Sequence, residues 1–110
     1  MFHDFQPVAA IATTPQAVNC LKPLCETGIT LYIPESLASY CANSAQIQIY
    51  QGALKDQIAS LWQTHRSLIF SLATGAVVRL IAPLLQDKAT DPAVLVLDAA
   101  GQFVISLCGG

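Results

Sequence analysis

Two stretches of this chain, Ser67–Ala73 (SLIFSLA) and Ala93–Leu97 (AVLVL), are apolar almost without interruption. A strand with one wet face alternates polar and apolar residues. A strand that reads apolar on both faces must be covered on both, which is the condition of a parallel sheet flanked by helices. Between the two runs, Gly75–Leu85 has a helical pattern, so the unit reads β-α-β. The same alternation runs through the first half. Pro7–Thr13 (PVAAIAT) is a short apolar strand, followed by Thr14 and Pro15 as N-cap and first helical position. That helix is expected to run to about Glu26, with Ala17, Val18, Leu21, Leu24 and Cys25 on its apolar side and Gly28 closing it. Ile29–Ile33 is a second strand stopped by Pro34, and Glu35–Asn43 a short helix. Gln46–Tyr50 (QIQIY) alternates like a half-buried or edge strand. Gly52–His65 is the clearest helix, with Leu54, Ile58, Leu61 and Trp62 on one face and Trp62 read as core. Asp98–Gly101 is a turn, and Gln102–Leu107 returns as a hairpin partner. The predicted class is α/β: a three-layer sandwich with a mostly parallel open sheet, flavodoxin- or Rossmann-like, and a C-terminal antiparallel strand. Residues 1–110 read as a single domain. The closing Gly109-Gly110 reads as the beginning of a turn, so the chain is expected to be a piece of a longer multidomain protein.

Composition narrows the function. Hydrophobic residues make up 54% and charged residues 11%, which excludes disorder. Five basic against seven acidic side chains leave a net charge of −2 with no basic cluster, so nucleic acid is not an expected partner. The charge-free stretches Phe5–Leu21 and Ser36–Leu54 are broken by Pro, Asn, Gln or Ser and do not read as membrane spans. No signal peptide pattern is present, and the expected location is cytoplasmic. Cys20, Cys25, Cys41 and Cys108 form no C-x-x-C pair, and only His3 and His65 could join them. They read as buried small hydrophobes, with no protein metal site expected. A nucleotide or phosphate binder is the weakest class, since neither G-x-G-x-x-G nor a P-loop occurs.

The helix over Gly75–Leu85 carries the most information. Val77, Val78, Leu80, Ile81, Leu84 and Leu85 make most of it apolar, so both flanks are expected to be buried. Val78 and Leu85 lie on the flank farther from the sheet, where a neighbouring domain or a second copy would cover them. The hairpin strand Gln102–Leu107 would be an exposed edge available to the same second copy. Arg79 is the single charge in the helix, on a stripe with Gly75, Ala82 and Pro83. Pro83 cannot donate to the Arg79 carbonyl, so a kink is expected there. Arg79 reads either as a solvated side chain or as a planar fork for a ligand carboxylate. Gly75 serves either close packing or an open anion site at the helix start. Asp91 before Pro92 reads as a turn residue, and Lys88 as solvated or touching a substrate carboxylate.

The pieces Thr74-Gly-Ala-Val-Val-Arg79-Leu-Ile-Ala-Pro83-Leu-Leu, Asp87-Lys88, Asp91-Pro-Ala-Val-Leu-Val, Asp98 and Gly101-Gln-Phe-Val-Ile105 stand in this order and spacing. Together they resemble the N-terminal domain of the cobalt-precorrin-5A hydrolase family of cobalamin biosynthesis. Such domains also occur fused to precorrin-3B C17-methyltransferase. The resemblance covers Ser67–Gly110, while residues 1–66 match in element order only. It implies opening of the δ-lactone of a cobalt-corrinoid and release of acetaldehyde. Cobalt arrives inside the substrate, so no cofactor is implied, apart from S-adenosylmethionine if a methyltransferase domain follows. The expected partners are the corrinoid intermediate, a C-terminal domain and a second copy. The alternative is a non-catalytic docking domain fused to the methyltransferase.

The substrate-binding candidates are Thr74, Gly75, Arg79, Lys88, Gly109 and Gly110, with no catalytic residue assigned. In open α/β sheets ligands sit beyond the carboxyl ends of the strands. That favours Thr13-Thr14, Gln51-Gly52 and Thr74-Gly75, whereas an antiparallel last strand delivers Gly109-Gly110 to the opposite edge, near Lys88. The family's Ser-Gly-His motif would begin at Gly109, where serine is replaced; Gly110 matches, and the histidine falls beyond the chain. Ser106 stands where a proline is frequent. His65 ends a helix and His3 lies in the tail, so no general base is evident and the chain alone is expected to be inactive.

Overall fold

The computed structural model describes residues 7–40, 46–86, 91–97 and 104–108, with the backbone alone at 40 and 104–108. Strand β1 (Val8–Ala12) leads into helix α1 (Pro15–Leu21), and β2 (Thr30–Pro34) and β3 (Ile47–Tyr50) follow. Helix α2 (Leu54–Thr64), β4 (Ser67–Ser71), helix α3 (Thr74–Ile81), β5 (Ala93–Leu97) and β6 (Val104–Cys108) complete the chain. The six strands lie in the order β3-β2-β1-β4-β5-β6. Neighbours from β3 to β5 are parallel, and β6 pairs with β5 antiparallel with a register irregularity at Val94/Leu95. The α/β class, the mostly parallel sheet and the antiparallel last strand are those expected.

Local chemistry explains where the elements stop. The Thr14 hydroxyl accepts the Ala17 N–H at 3.1 Å, and Pro15 opens α1, as the sequence predicts. The α-helical part ends at Leu21, however, not near Glu26. Pro23 has no N–H for the Asn19 carbonyl, and Lys22–Thr27 continues as 3₁₀ winding to Gly28, which adopts φ 94°. The second proline acts alike: Pro83 cannot reach back to Arg79, and α3 gives way to a 3₁₀ turn at Ala82–Leu84. Pro34 does not precede the end of its strand but forms it, in register with Tyr50. Glu35–Tyr40 is 3₁₀ rather than α. The remainder of that expected helix and the turn Asp98–Gly101 lie outside the described residues.

The core has two layers, one on each face of the sheet. Val8, Ala10, Ala12, Leu31, Ile33 and Ile69 meet Val18 and Leu21 of α1. Ala9, Ile11, Leu68, Phe70, Val94 and Val96 meet Ile58, Leu61 and Trp62 of α2 and Val77 and Ile81 of α3. Both α2 and α3 therefore pack on the same face. This overturns one expectation for β5: Val94 and Val96 are buried, but Ala93, Leu95 and Leu97, facing the α1 side, are only half-buried. It overturns another for α3, where Val77 and Ile81 alone are buried. Val78 is 46% exposed and Leu85 just beyond it 47%, because one flank of α3 meets neither the sheet nor α2. Cys20 and Cys25 are half-buried, not fully buried as expected. Cys41 and the Cys108 side chain lie outside the described residues. No helix among the described residues is long and apolar enough to cross a membrane.

Two polar groups sit in the α1-side core. Ser67 and Ser71, at either end of β4, share the face of Ile69, and neither buried hydroxyl has a hydrogen-bond partner. An unsatisfied buried hydroxyl costs about 1–3 kcal/mol. Ser71→Ala, placing a methyl beside Ala12, and Ser67→Ala should each raise stability by about 1 kcal/mol. Urea unfolding should show this as a higher midpoint at unchanged slope.

Candidate functional site

β1 and β4 are adjacent and parallel, but the chain leaves them in opposite directions, to α1 on one face and α3 on the other. Their carboxyl ends flank the crevice where an open α/β sheet places a ligand. Thr13-Thr14 stands on one side and Leu72–Gly75 on the other. On the first side the Thr14 hydroxyl is already committed to the Ala17 N–H. On the second, helix α3 begins without a side-chain cap. Its N-cap is Ala73, in an extended conformation, and its first intrahelical bond runs from the Val77 N–H to the Ala73 carbonyl at 3.1 Å. The amides of Thr74, Gly75 and Ala76 are thus the orphan first-turn donors, and they carry the positive end of the helix dipole. Thr74 lies inside the helix, so its hydroxyl is not spent as a cap.

Gly75 is exposed, and a Cβ built on it would meet nothing within 4 Å. The close-packing reading of this glycine therefore fails; its effect is to leave the first turn of α3 uncovered. Arg79 lies one turn further, about 6 Å along the axis. It is exposed, with no ion-pair partner among the described residues. Helical side chains lean toward the N-terminus, so its guanidinium can reach back over the open Gly75 position. Its own place is in the last turn of α3, where a positive charge also complements the helix C-terminus.

Of the other positions, Gln51-Gly52 is not brought to this crevice. It follows the edge strand β3, two strands from β1 and about 10 Å away laterally. Cys108, the last residue of β6, pairs with Val94 near the start of β5, at the amino edge of the sheet. A five-residue strand separates the two edges by about 13 Å. Lys88, Gly109 and Gly110 lie outside the described residues. Asp91 closes the loop before β5, its Oδ2 accepting the Gln86 N–H at 2.9 Å, which matches its reading as a turn residue.

His65 stands at the amino edge too, where α2 ends. Its Nδ1 is 2.8 Å from the Thr64 hydroxyl, and its ring meets Tyr32 edge-on at 6.1 Å. Burial lowers its pKa, with a hydrogen bond to the Leu61 carbonyl acting the other way. Burial also raises the Tyr32 and Tyr50 pKa values. Among the described residues no three His, Cys, Asp or Glu side chains are grouped so as to hold a metal ion. The crevice thus offers backbone donors and the exposed Arg79, suited to an anionic group, and His65, the histidine among the described residues, stands at the other edge. What sequence reasoning missed is the cap: alanine at position 73, directly before Thr74-Gly75, is the signal for uncapped donors.

A family model described as "Cobalamin synthesis G N-terminal" matches residues 56–110, half of the chain. The chain belongs to this family. It is 47% identical over 64 residues to a cobalt-precorrin-5A hydrolase of Priestia megaterium. It is 46% identical over 61 residues to the enzyme of that name from Salmonella typhimurium. These segments are 58% and 56% of the chain but only 17% of each relative. A solved structure of a cobalamin biosynthesis protein G homolog from Sulfolobus solfataricus superposes with a TM-score of 0.64 at 22% identity. It covers 94% of this chain and 29% of that one, and at this identity it speaks for the fold. The family match begins inside α2 and includes β4, α3 and β5, so the uncapped helix start and Arg79 lie within it.

The His65 environment has a measurable signature. Its folded pKa lies below the unfolded value near 6.5, so the unfolded chain takes up the proton first as pH falls. The stability it contributes is complete above pH 6.5 and is lost as pH falls through the folded pKa. Melting temperatures from pH 8 to pH 5 should decline more steeply in the wild type than in His65→Gln. Parallel curves would remove the burial account.

Proposed function

We propose that this chain is the N-terminal, substrate-anchoring domain of a cobalt-precorrin-5A hydrolase. The observation that carries the reading is the 47% identity to such a hydrolase over 64 residues. The crevice supports it with uncapped α3 amides, an open Gly75 and an exposed Arg79 one turn on. The substrate is a cobalt-corrinoid macrocycle bearing several carboxylate side chains and a δ-lactone. Cobalt enters as part of that substrate.

Lactone opening is acyl transfer to water. The water oxygen adds to the carbonyl carbon, the carbonyl oxygen becomes an oxyanion, and collapse breaks the ring C–O bond. The opened macrocycle carries both the freed carboxylate and the freed hydroxyl. Loss of the hydroxyl proton and cleavage of the C–C bond joining the carbinol carbon to the ring then release the two-carbon unit as acetaldehyde, the ring carbon keeping the electron pair and taking up a proton. Such a step needs a base for the water and donors for the oxyanion. The carboxyl edge of this sheet supplies donors and a cation and no described histidine. Its part is anchoring: backbone amides and Arg79 fix the substrate's carboxylates and thereby the position of the lactone. The planar guanidinium suits a carboxylate by paired hydrogen bonds.

On this reading the 110-residue chain binds a carboxylate-bearing corrinoid and releases no acetaldehyde. Acetaldehyde released at a rate comparable with a full-length family member would overturn the division of labour. Arg79→Met should weaken corrinoid binding, measured by titration calorimetry, by roughly ten- to a hundredfold, since a charge-assisted hydrogen bond is worth about 1.5–3 kcal/mol. Its melting temperature should hardly move. An unchanged affinity would return Arg79 to the role of a solvated side chain. Gly75→Ala makes the complementary test. It should keep or slightly raise stability, because the methyl meets nothing and alanine is the better helix former, while it crowds the anion's approach.

A further inference from the structure

We infer that the β3 edge of the sheet is a homodimer interface, in which a second copy of this chain adds its own β3 antiparallel across a two-fold axis. Leu31 stands opposite Ile47, and its N–H donates to the Gln46 carbonyl at 2.7 Å. In a parallel ladder a residue bonds to the two neighbours of its opposite number, so Leu31 engages Gln46 and Gln48, and Ile33 engages Gln48 and Tyr50. The N–H and C=O groups of Ile47 and Ile49 therefore point away from β2. Among the described residues β3 is the last strand on this side.

The side chains favour a copy of the same strand. Ile47 packs against the α1-side core, and Ile49, two residues on and so on the same face, is 50% exposed. With the two-fold axis at Gln48, that residue faces its own symmetry mate, and Ile47 faces Ile49 of the partner subunit. Each isoleucine pair then exchanges two backbone hydrogen bonds, and both pairs lie on one face, where each covers the other's exposed apolar surface. The axis is normal to the sheet, so α1 stays on the same side in both copies and the two sheets join into one. Edge strands are ordinarily protected by shortness, lysine, proline or a bulge. β3 is four residues long but has no lysine, proline or bulge, and Ser36–Leu54 carries no charge that would repel a second copy. A two-fold contact of this kind closes on itself.

The outward direction of the Ile49 N–H supplies a selective probe. Ile49→Pro removes a donor that β2 does not use, so the ladder to Ile33 survives while the dimer contact is lost. Light scattering and sedimentation of the 110-residue chain at tens of micromolar should give twice 11.7 kDa. Ile49→Pro should raise the dimer dissociation constant at least tenfold at an unchanged circular dichroism spectrum. Should the proline variant fail to fold, Ile49→Lys, which changes only an exposed side chain, serves in its place. The register is tested separately. Opposed positions in a non-hydrogen-bonded antiparallel pair have Cα atoms about 4.5 Å apart, within disulfide range, so Gln48→Cys should cross-link to a dimer on mild oxidation. Ile47→Cys, whose symmetry mate is displaced by two residues, should cross-link no more than the parent chain. A monomeric wild type would overturn the proposal. So would a dimer that survives both Ile49 variants, which would move the contact to the α3 flank or the β6 edge, and so would cross-linking through position 47 in place of 48.

Discussion

β1 is built from Val, three Ala and one Ile, and none of its side chains is more than 3% exposed. It is hydrogen-bonded on both edges, to β2 and to β4, and packed on both faces. Small side chains in the middle strand let α1 approach one face while Ile58, Leu61 and Val77 press on the other. The parallel pairing of β1 with β4 is the contact on which the layers depend. It joins the two halves of the sheet, and at its carboxyl end the chain departs to opposite faces. The crevice is not an added feature but the gap left where those directions diverge.

The two helices that leave this gap are cut to similar length by the same means, a proline that withholds one hydrogen bond and turns α into 3₁₀. They differ at their starts. Thr14 satisfies its own helix, while Ala73 cannot. One residue's side chain therefore separates a closed helix start from one whose amides are open to an anion.

Much of this was legible beforehand because the signals were local or strongly periodic. The Thr14-Pro15 start, the Gly28 close, the edge character of Gln46–Tyr50 and the buried Trp62 all follow from spacing and cap chemistry. What was not legible depends on where helices land. AVLVL looks the same whether both of its faces are covered or one, and only the shared side of α2 and α3 leaves Leu95 and Leu97 half-open. Val78 and Leu85, by contrast, read as lying on the flank farther from the sheet, and they are exposed there. At the candidate site, the run around Thr74 singled out a helix start, and the empty space beside Gly75 emerges only from geometry. Of the six candidate positions, Thr74, Gly75 and Arg79 share helix α3, while Lys88, Gly109 and Gly110 lie outside the described residues.

The central pairing also sets a kinetic order. Val8 and Ser67 are neighbours in space yet about sixty residues apart in sequence. β1, β2 and the helix between them can associate early, since their contacts are short in range. The β4 edge of β1 must wait until the chain has passed through β3 and α2 and closed a long loop, and nonlocal parallel pairing of this kind is slow. During that interval a strand of almost pure hydrocarbon has one backbone edge unpaired. Transiently unpaired strand edges of this kind are where a folding chain is open to association with others.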